Sequence, residues 1–174
     1  GDILHKKGEE QEAFAAYDSC LQWKDDNVMA LNNYAYYLSE KGVDLHKAES
    51  MSYKTIKAEP NNGTYLDTYA WILFMEERYA DAKTYIDQAL KNRDSTVDNS
   101  TVLEHAGDIY YMNGMADESV DFWKKAYTGE NQTEVLAWKI KNRQYITEEE
   151  LKKRNAPKQK PAATKKSVRK GKKK

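Results

Sequence analysis

Histidine, cysteine and clustered carboxylates are the residues of this chain that could hold a metal ion or carry catalysis. The three histidines, His5, His46 and His105, lie far apart, and no His-x-x-x-His pair gives the usual zinc spacing. Cys20 is the single cysteine, which excludes an internal disulfide and a cysteine-based metal cluster. Glu104 and His105 are adjacent and point in different directions on a helix, so we expect His105 on the surface. The sequence predicts no catalytic residues, no metal site, no cofactor and no enzyme activity.

Charge is divided between the body of the chain and a C-terminal tail. Of 174 residues, 28 are Lys or Arg and 28 are Asp or Glu, so the net charge is zero. Twelve of the basic residues and none of the acidic ones lie in 151–174, so the body is strongly acidic. A dense cationic run binds polyanions by releasing counterions, or it remains a solvated tail. The candidate polyanion contacts are Lys165, Lys166, Arg169, Lys170, Lys172, Lys173 and Lys174.

The remaining composition limits the class of protein. No stretch approaches the ~18 apolar residues of a membrane-spanning helix, so we expect no integral membrane segment. Residues 155–174 have almost no apolar side chain to bury, and we expect them to be disordered. The opening letters GDILHKKG resemble the middle of a structural element, which suggests a piece of a longer protein.

Small residues recur in four columns around a turn, with spacings of 35, 34 and 37 residues in the column of Ala13. Closely packed antiparallel helices need a small side chain where they cross, so a period near 34 predicts a helix–turn–helix array. The four columns are Gly1, Ala35, Ala70 and Gly107; Gly8, Gly42, Glu77 and Gly114 at the turn; Ala13, Ala48, Ala82 and Ser119; and Cys20, Thr55, Ala89 and Ala126.

Helical patterns fill the chain between these turns. The predicted helices cover 9–23, 28–41, 45–58, 64–76, 79–92, 100–113 and 116–127. A further helix over 133–143, with Val135, Leu136 and Ile140 buried, is expected to cover the last repeat. Thr147 followed by three glutamates predicts the start of one more helix, because threonine caps helices and acids favour their first turn.

The columns resemble those of the tetratricopeptide repeat (TPR) family over about residues 1–131. The matching positions are the turn glycines together with Ala48, Pro60, Ala70, Ala82 and Ala89. The departures are one extra residue in GVDLHKA, a turn glycine replaced by Glu77, and a terminal proline replaced by Asp25, Asp94 and Asn131. The resemblance implies an all-α, right-handed solenoid of about three and a half repeats, which with its capping helices occupies 1–154.

In TPR proteins the first helix of each repeat lines a concave groove that binds a peptide or protein segment. The usual contact positions correspond here to Met29, Asn32, Tyr36, Ser39, Thr64, Asp67, Trp71, Phe74, Thr101, Glu104, Asp108 and Tyr111. The resemblance thus implies a protein-binding scaffold, and rings beside acids suit a ligand with basic and apolar side chains. Alternatively, Tyr36 and Trp71 pack against each other across repeats. In either case Tyr34 and Tyr69 fall at core positions between helices.

Two other functions stay open at this stage. The basic tail could tether the protein to a polyanion, or the chain could be a structural piece of a longer solenoid. The tail could also fold back over Asp67, Glu104 and Asp108 and compete with a groove ligand. The stretches NNYAYYLSEKGVDLHKAE, LDTYAWILF, YADAKTYIDQAL and LEHAGDIYYMNG resemble the C-terminal repeats of bacterial cell-envelope TPR lipoproteins, which implies an envelope location on the periplasmic side, anchored upstream.

Overall fold

The structure, a computed structural model, describes residues 27–157 together with Glu9, Gln11, Glu12 and Ala15. Residues 27–157 form eight α-helices and no strand, which confirms the all-α prediction. The helices are α1 (Val28–Lys41), α2 (Leu45–Ala58), α3 (Gly63–Met75), α4 (Tyr79–Lys91), α5 (Ser100–Met112), α6 (Ala116–Ala126), α7 (Glu134–Asn142) and α8 (Glu148–Asn155).

Some predictions concern residues that the structure does not describe. Most of the predicted helix 9–23, Cys20 and the tail from residue 158 onward lie outside the described residues. No described helix combines the length and the apolar character that crossing a bilayer requires.

Consecutive helices pair across tight turns, which gives three helix–turn–helix units: α1 with α2, α3 with α4, and α5 with α6. The backbone is left-handed at Gly42 (φ 64°), Glu77 (φ 61°) and Gly114 (φ 77°), three of the four predicted turn residues; the fourth, Gly8, lies outside the described residues. After each of them the next N–H donates to the carbonyl five residues earlier, at 2.9–3.2 Å. This bond closes the end of the first helix and reverses the chain into the second.

The small-residue columns lie where paired helices cross. Ala35, Ala48, Ala70 and Ala82 are all 0% exposed, so each lies in direct contact with a neighbouring helix. A Cβ atom on Gly107 would lie 2.3 Å from Cδ1 of Trp123, a ring that is itself fully buried. Glycine at this position therefore makes room for the tryptophan of the facing helix.

The three units stack because α2 packs on α3 and α4 packs on α5. The first helices also contact one another, α1 with α3 and α3 with α5, and we call these three helices the inner layer. Tyr34 and Tyr69 are 4% and 6% exposed and belong to the apolar core, as predicted.

Two further helices, α7 and α8, cover the end of the stack, and together with the loop between them we call them the cap. Leu136 of α7 is fully buried beside Trp123 and Ile140 packs half-buried against the same cluster, as predicted, whereas Val135 is only half-buried and lies outside this cluster. Thr147 caps α8: its hydroxyl accepts from the Glu150 N–H while the Glu150 carboxylate accepts from the Thr147 N–H. The prediction did not include Lys139, which is 3% exposed on the same buried face of α7.

Candidate protein-binding face

The twelve predicted contact residues all lie on the inner layer, but they differ in accessibility. Exposed to solvent are Met29, Thr64 and Thr101. Half-buried are Tyr36, Asp67, Trp71, Glu104 and Tyr111. Buried are Asn32, Ser39, Phe74 and Asp108. The structure therefore brings part of the set to an open face and places the rest beneath it.

The buried members support the face from below. The Ser39 hydroxyl donates to the carbonyl of Tyr36 at 2.6 Å, within the same helix. The Phe74 ring stacks on Trp71, with ring centres 4.7 Å apart. Asp108 is 3% exposed and accepts hydrogen bonds from two buried donors described below. These contacts hold the half-buried rings in place and leave little of Ser39, Phe74 or Asp108 for a ligand.

His105 lies at the centre of the inner layer, and the prediction that it is a surface residue was wrong. It is 6% exposed, and its ring stacks on Trp71 with centres 4.1 Å apart and planes 16° from parallel. The Tyr36 ring lies on it at 6.4 Å, tilted by 51°. Both predicted groove aromatics thus have the same histidine as a neighbour.

An ion pair fixes the imidazole. The Nδ1–H of His105 donates to Oδ1 of Asp67 at 2.9 Å. Burial alone would lower the pKa of His105, but Asp67, Asp108 and Glu40 outweigh burial, so its pKa is raised above 6.5. When protonated, His105 neutralises one of the acids that the sequence placed in the groove.

Lys139 forms ion pairs with the other two, which share its single positive charge. Its ammonium group donates to Asp108 at 2.8 Å and to Glu104 at 3.1 Å, and Trp123 Nε1 donates to the same Asp108 oxygen at 2.9 Å. Burial alone would lower the pKa of Lys139, but the two carboxylates outweigh burial and raise it. The three acids considered as targets of the basic tail are thus each paired within the body.

Tyr145, in the loop between α7 and α8, lies at the end of the face next to the cap. Its ring meets Phe74 edge-on at 5.7 Å, and the Lys139 ammonium lies 5.3 Å from its centre. The inner layer and the cap enclose an opening of about 790 Å³, which we call the inner pocket. Its lining includes the rings Tyr36, Trp71, His105 and Tyr145 and the carboxylates Glu40, Glu104, Glu148 and Glu149.

A second opening, of about 630 Å³, adjoins the inner pocket, with Tyr36 and Thr101 lining both; we call it the polar pocket. Its lining is rich in amides and includes Asn32, Asn33, Asn62, Asp67, Asn92, Arg93 and Asn99. Asn32 is 5% exposed, and its side-chain oxygen has no hydrogen-bond partner within the described part of the chain. A continuous surface thus runs from an amide-rich end to an aromatic and acidic end.

Comparison with known proteins supports the repeat assignment. No protein-family model matches the chain. The TPR repeat-containing protein PA4667 of Pseudomonas aeruginosa is 35% identical over 66 residues, or 38% of this chain. The alignment covers 11% of that protein, so the chain spans about a tenth of the length of the curated relative it matches.

Solved structures share the fold at low sequence identity. PilF of Pseudomonas aeruginosa superposes with a TM-score of 0.66 at 16% identity, over 79% of this chain and 61% of that one. YrrB, described as a TPR protein with an unusual peptide-binding site, gives a TM-score of 0.59 at 14% identity, over 72% and 62%. Together with the repeat columns and paired helices, these similarities show that the chain has the fold of tetratricopeptide repeat proteins, a helical solenoid.

Proposed function

We propose that the inner layer binds an extended peptide or protein segment whose basic and apolar side chains enter the inner pocket. The observation that carries this proposal is the cluster of half-buried rings and acidic groups around one opening of about 790 Å³. Ligand pockets in proteins commonly measure about 300–1,000 Å³ and combine apolar walls with a few polar groups.

The chemistry of the pocket favours a cationic or aliphatic side chain. A Lys or Arg head over Tyr36 gains a cation–π attraction of about 0.5–2 kcal/mol, whereas the Trp71 ring already stacks on Phe74 and His105. Glu40 is exposed at the pocket edge and adds a negative charge that no internal ion pair is seen to neutralise within the described residues. Glu104, Glu148 and Glu149 are paired with lysines, so Glu40 is the acid that favours a basic side chain on the ligand.

The neighbouring polar pocket suits the backbone of the same peptide. Amide side chains both donate to and accept from peptide groups, and the exposed Asn33 and Asn92 line this surface. YrrB, a protein of the same fold, is described as having a peptide-binding site, which supports this class of ligand. An extended segment across both pockets would place its backbone on the amides and its side chains among the rings.

A displayed library of random peptides, selected on the full chain, tests the proposal. We expect the selected peptides to be enriched in Arg or Lys next to apolar residues. Tyr36→Ala should weaken the best peptide at least about tenfold, as loss of a central aromatic contact does at other interfaces. The matched control is Tyr53→Ala, because Tyr53 is 47% exposed on α2, outside the inner layer, and its loss should leave affinity unchanged.

Salt distinguishes this proposal from binding through the basic tail. Peptides held by the inner layer should remain bound at ~0.5 M salt, whereas contacts made by a cationic tail weaken steeply. Equal affinity for the wild type and Tyr36→Ala, with binding lost on removal of 158–174, would contradict the proposal.

A further inference from the structure

A second group of chemically active side chains lies away from the inner pocket and the polar pocket. His46 and Glu49 lie in the first turns of α2, and Glu76 follows the last residue of α3. One ligand atom from each of the three side chains lies within 4.8 Å of the other two. None of the three lines either pocket on the inner layer.

We propose that His46, Glu49 and Glu76 form a binding site for a divalent transition-metal ion. Spacing along a single helix predicts no metal site, because no His-x-x-x-His pair is present. Here a His-x-x-Glu spacing places two ligands on one face of α2, since residues three apart are neighbours on a helix. The third ligand comes from the adjacent repeat, which only the stacking of α2 on α3 brings within reach.

One oxygen of each carboxylate is not bonded to a basic side chain within the described residues. Oε1 of Glu76 is buried and has no hydrogen-bond partner within the described residues. Arg78 donates to Oε1 of Glu49 at 2.7 Å, which leaves the other oxygen of Glu49 available and orients the group. Polar partners outside the ligand set orient ligands in this way in many metal sites.

The electrostatics of the group favour a bound cation. The Glu49 and Glu76 carboxylates lie within 4.8 Å of each other, and two adjacent negative charges repel each other. A divalent ion placed between the two carboxylates would remove that repulsion and give the buried Glu76 oxygen a partner.

The distances require only small side-chain adjustments. Ligand atoms around a tetrahedral zinc ion lie about 3–3.6 Å apart, given metal–ligand bonds of about 2.0–2.2 Å. The observed separations of up to 4.8 Å can close by rotation of side chains, and His46 is exposed. One imidazole with two carboxylates suits Zn²⁺, Co²⁺ or Mn²⁺ better than Mg²⁺, which prefers oxygen ligands alone.

Calorimetric titration of the full chain with ZnCl₂ at neutral pH tests the site. We expect one zinc ion per chain, and a melting temperature that rises with zinc concentration, because the ion joins α2 to α3 only in the folded protein. His46→Ala and Glu76→Gln should each weaken zinc binding at least about tenfold, the loss typical even of outer partners. MgCl₂ at the same concentration should give no comparable binding.

The controls separate loss of the site from loss of the fold. Glu59→Gln removes an exposed acid from the other end of α2 and should leave zinc affinity unchanged. Glu76→Gln relieves the carboxylate repulsion, so without zinc this variant should melt no lower than the wild type. Absence of zinc binding by the wild type, or equal zinc affinity in the wild type and both ligand variants, would overturn the proposal.

Discussion

Lys139 shows how one side chain joins the last repeat to its cap. Its side chain is 4% exposed and lies between Glu104 and Asp108, both contributed by α5. A buried charge is costly to desolvate, and the two carboxylates offset that cost only while all partners are present. The ion pair therefore makes the position of α7 strongly dependent on this one residue.

Replacing Lys139 by Met should be one of the most destabilising single changes in the described part of the chain. Methionine fills the space but leaves two carboxylates without their cation, and breaking a buried pair in this way typically costs about 3–5 kcal/mol. Urea denaturation of the purified variant measures the change. Lys141→Met, an exposed change on the same helix, is the control and should be neutral; a loss below about 1 kcal/mol for Lys139→Met would contradict the prediction.

The protonation of His105 should make stability depend on pH. Its pKa is raised in the folded chain because Asp67, Asp108 and Glu40 favour the imidazolium more than burial opposes it. The stabilisation is fully present below pH 6.5, the ordinary pKa, and is lost as pH rises through the folded value. Urea denaturation from about pH 5.5 to 8.5 should show the difference between wild type and His105→Gln shrinking as pH rises. A difference that is constant or grows with pH would contradict the raised pKa.

Neither Lys139 nor His105 could be assigned from the sequence, because their partners lie 31 to 38 residues away. A weak signal was present for both. Lys139 comes three residues after Leu136, and His105 comes three after Val102, so each shares a helix face with an apolar residue. Charged side chains usually face solvent, but they can be buried when another repeat supplies an oppositely charged partner. Such a partner cannot be found from the sequence of one helix.

At the scale of helices, local sequence was sufficient. The turn residues and small columns fix the length and pairing of each unit, so α1 and α2 match their predicted bounds and the later helices differ by a residue or two. The start of α3 differs because Asn62 caps it, accepting from Thr64 N–H and Tyr65 N–H. What local sequence did not provide is the contact between units, on which the inner pocket depends.

The turn residues predict opposite effects for two backbone changes. Glu77 has φ 61°, where a side chain is strained, so Glu77→Gly should raise the free energy of unfolding by about 0.5–1 kcal/mol. Gly114 has φ 77° and open space around it. Gly114→Ala should therefore lower the free energy of unfolding by about 1 kcal/mol through backbone strain alone. Thermal melts followed by circular dichroism compare the two; changes of the same sign would show that the turn backbone does not control stability.

At the scale of the whole molecule, the cap completes the binding face as well as the core. Tyr145 and α8 line the inner pocket from one side, and the repeats line it from the other. The pocket therefore exists only while α7 and α8 remain docked. A change that loosens the cap should lower stability and peptide binding together, even when it lies far from Tyr36.

Ending the chain after Asn131 tests this dependence on the cap. The truncation uncovers the fully buried Trp123 and removes Lys139 from Asp108, so the free energy of unfolding should fall by at least about 3 kcal/mol. Newly exposed apolar surface should also promote self-association, measurable by size-exclusion chromatography. A chain ending after Pro157 keeps α8 and should melt like the full chain. If both truncated chains melted at the wild-type temperature, the cap would be dispensable, and the inner pocket would have to be defined by the repeats alone.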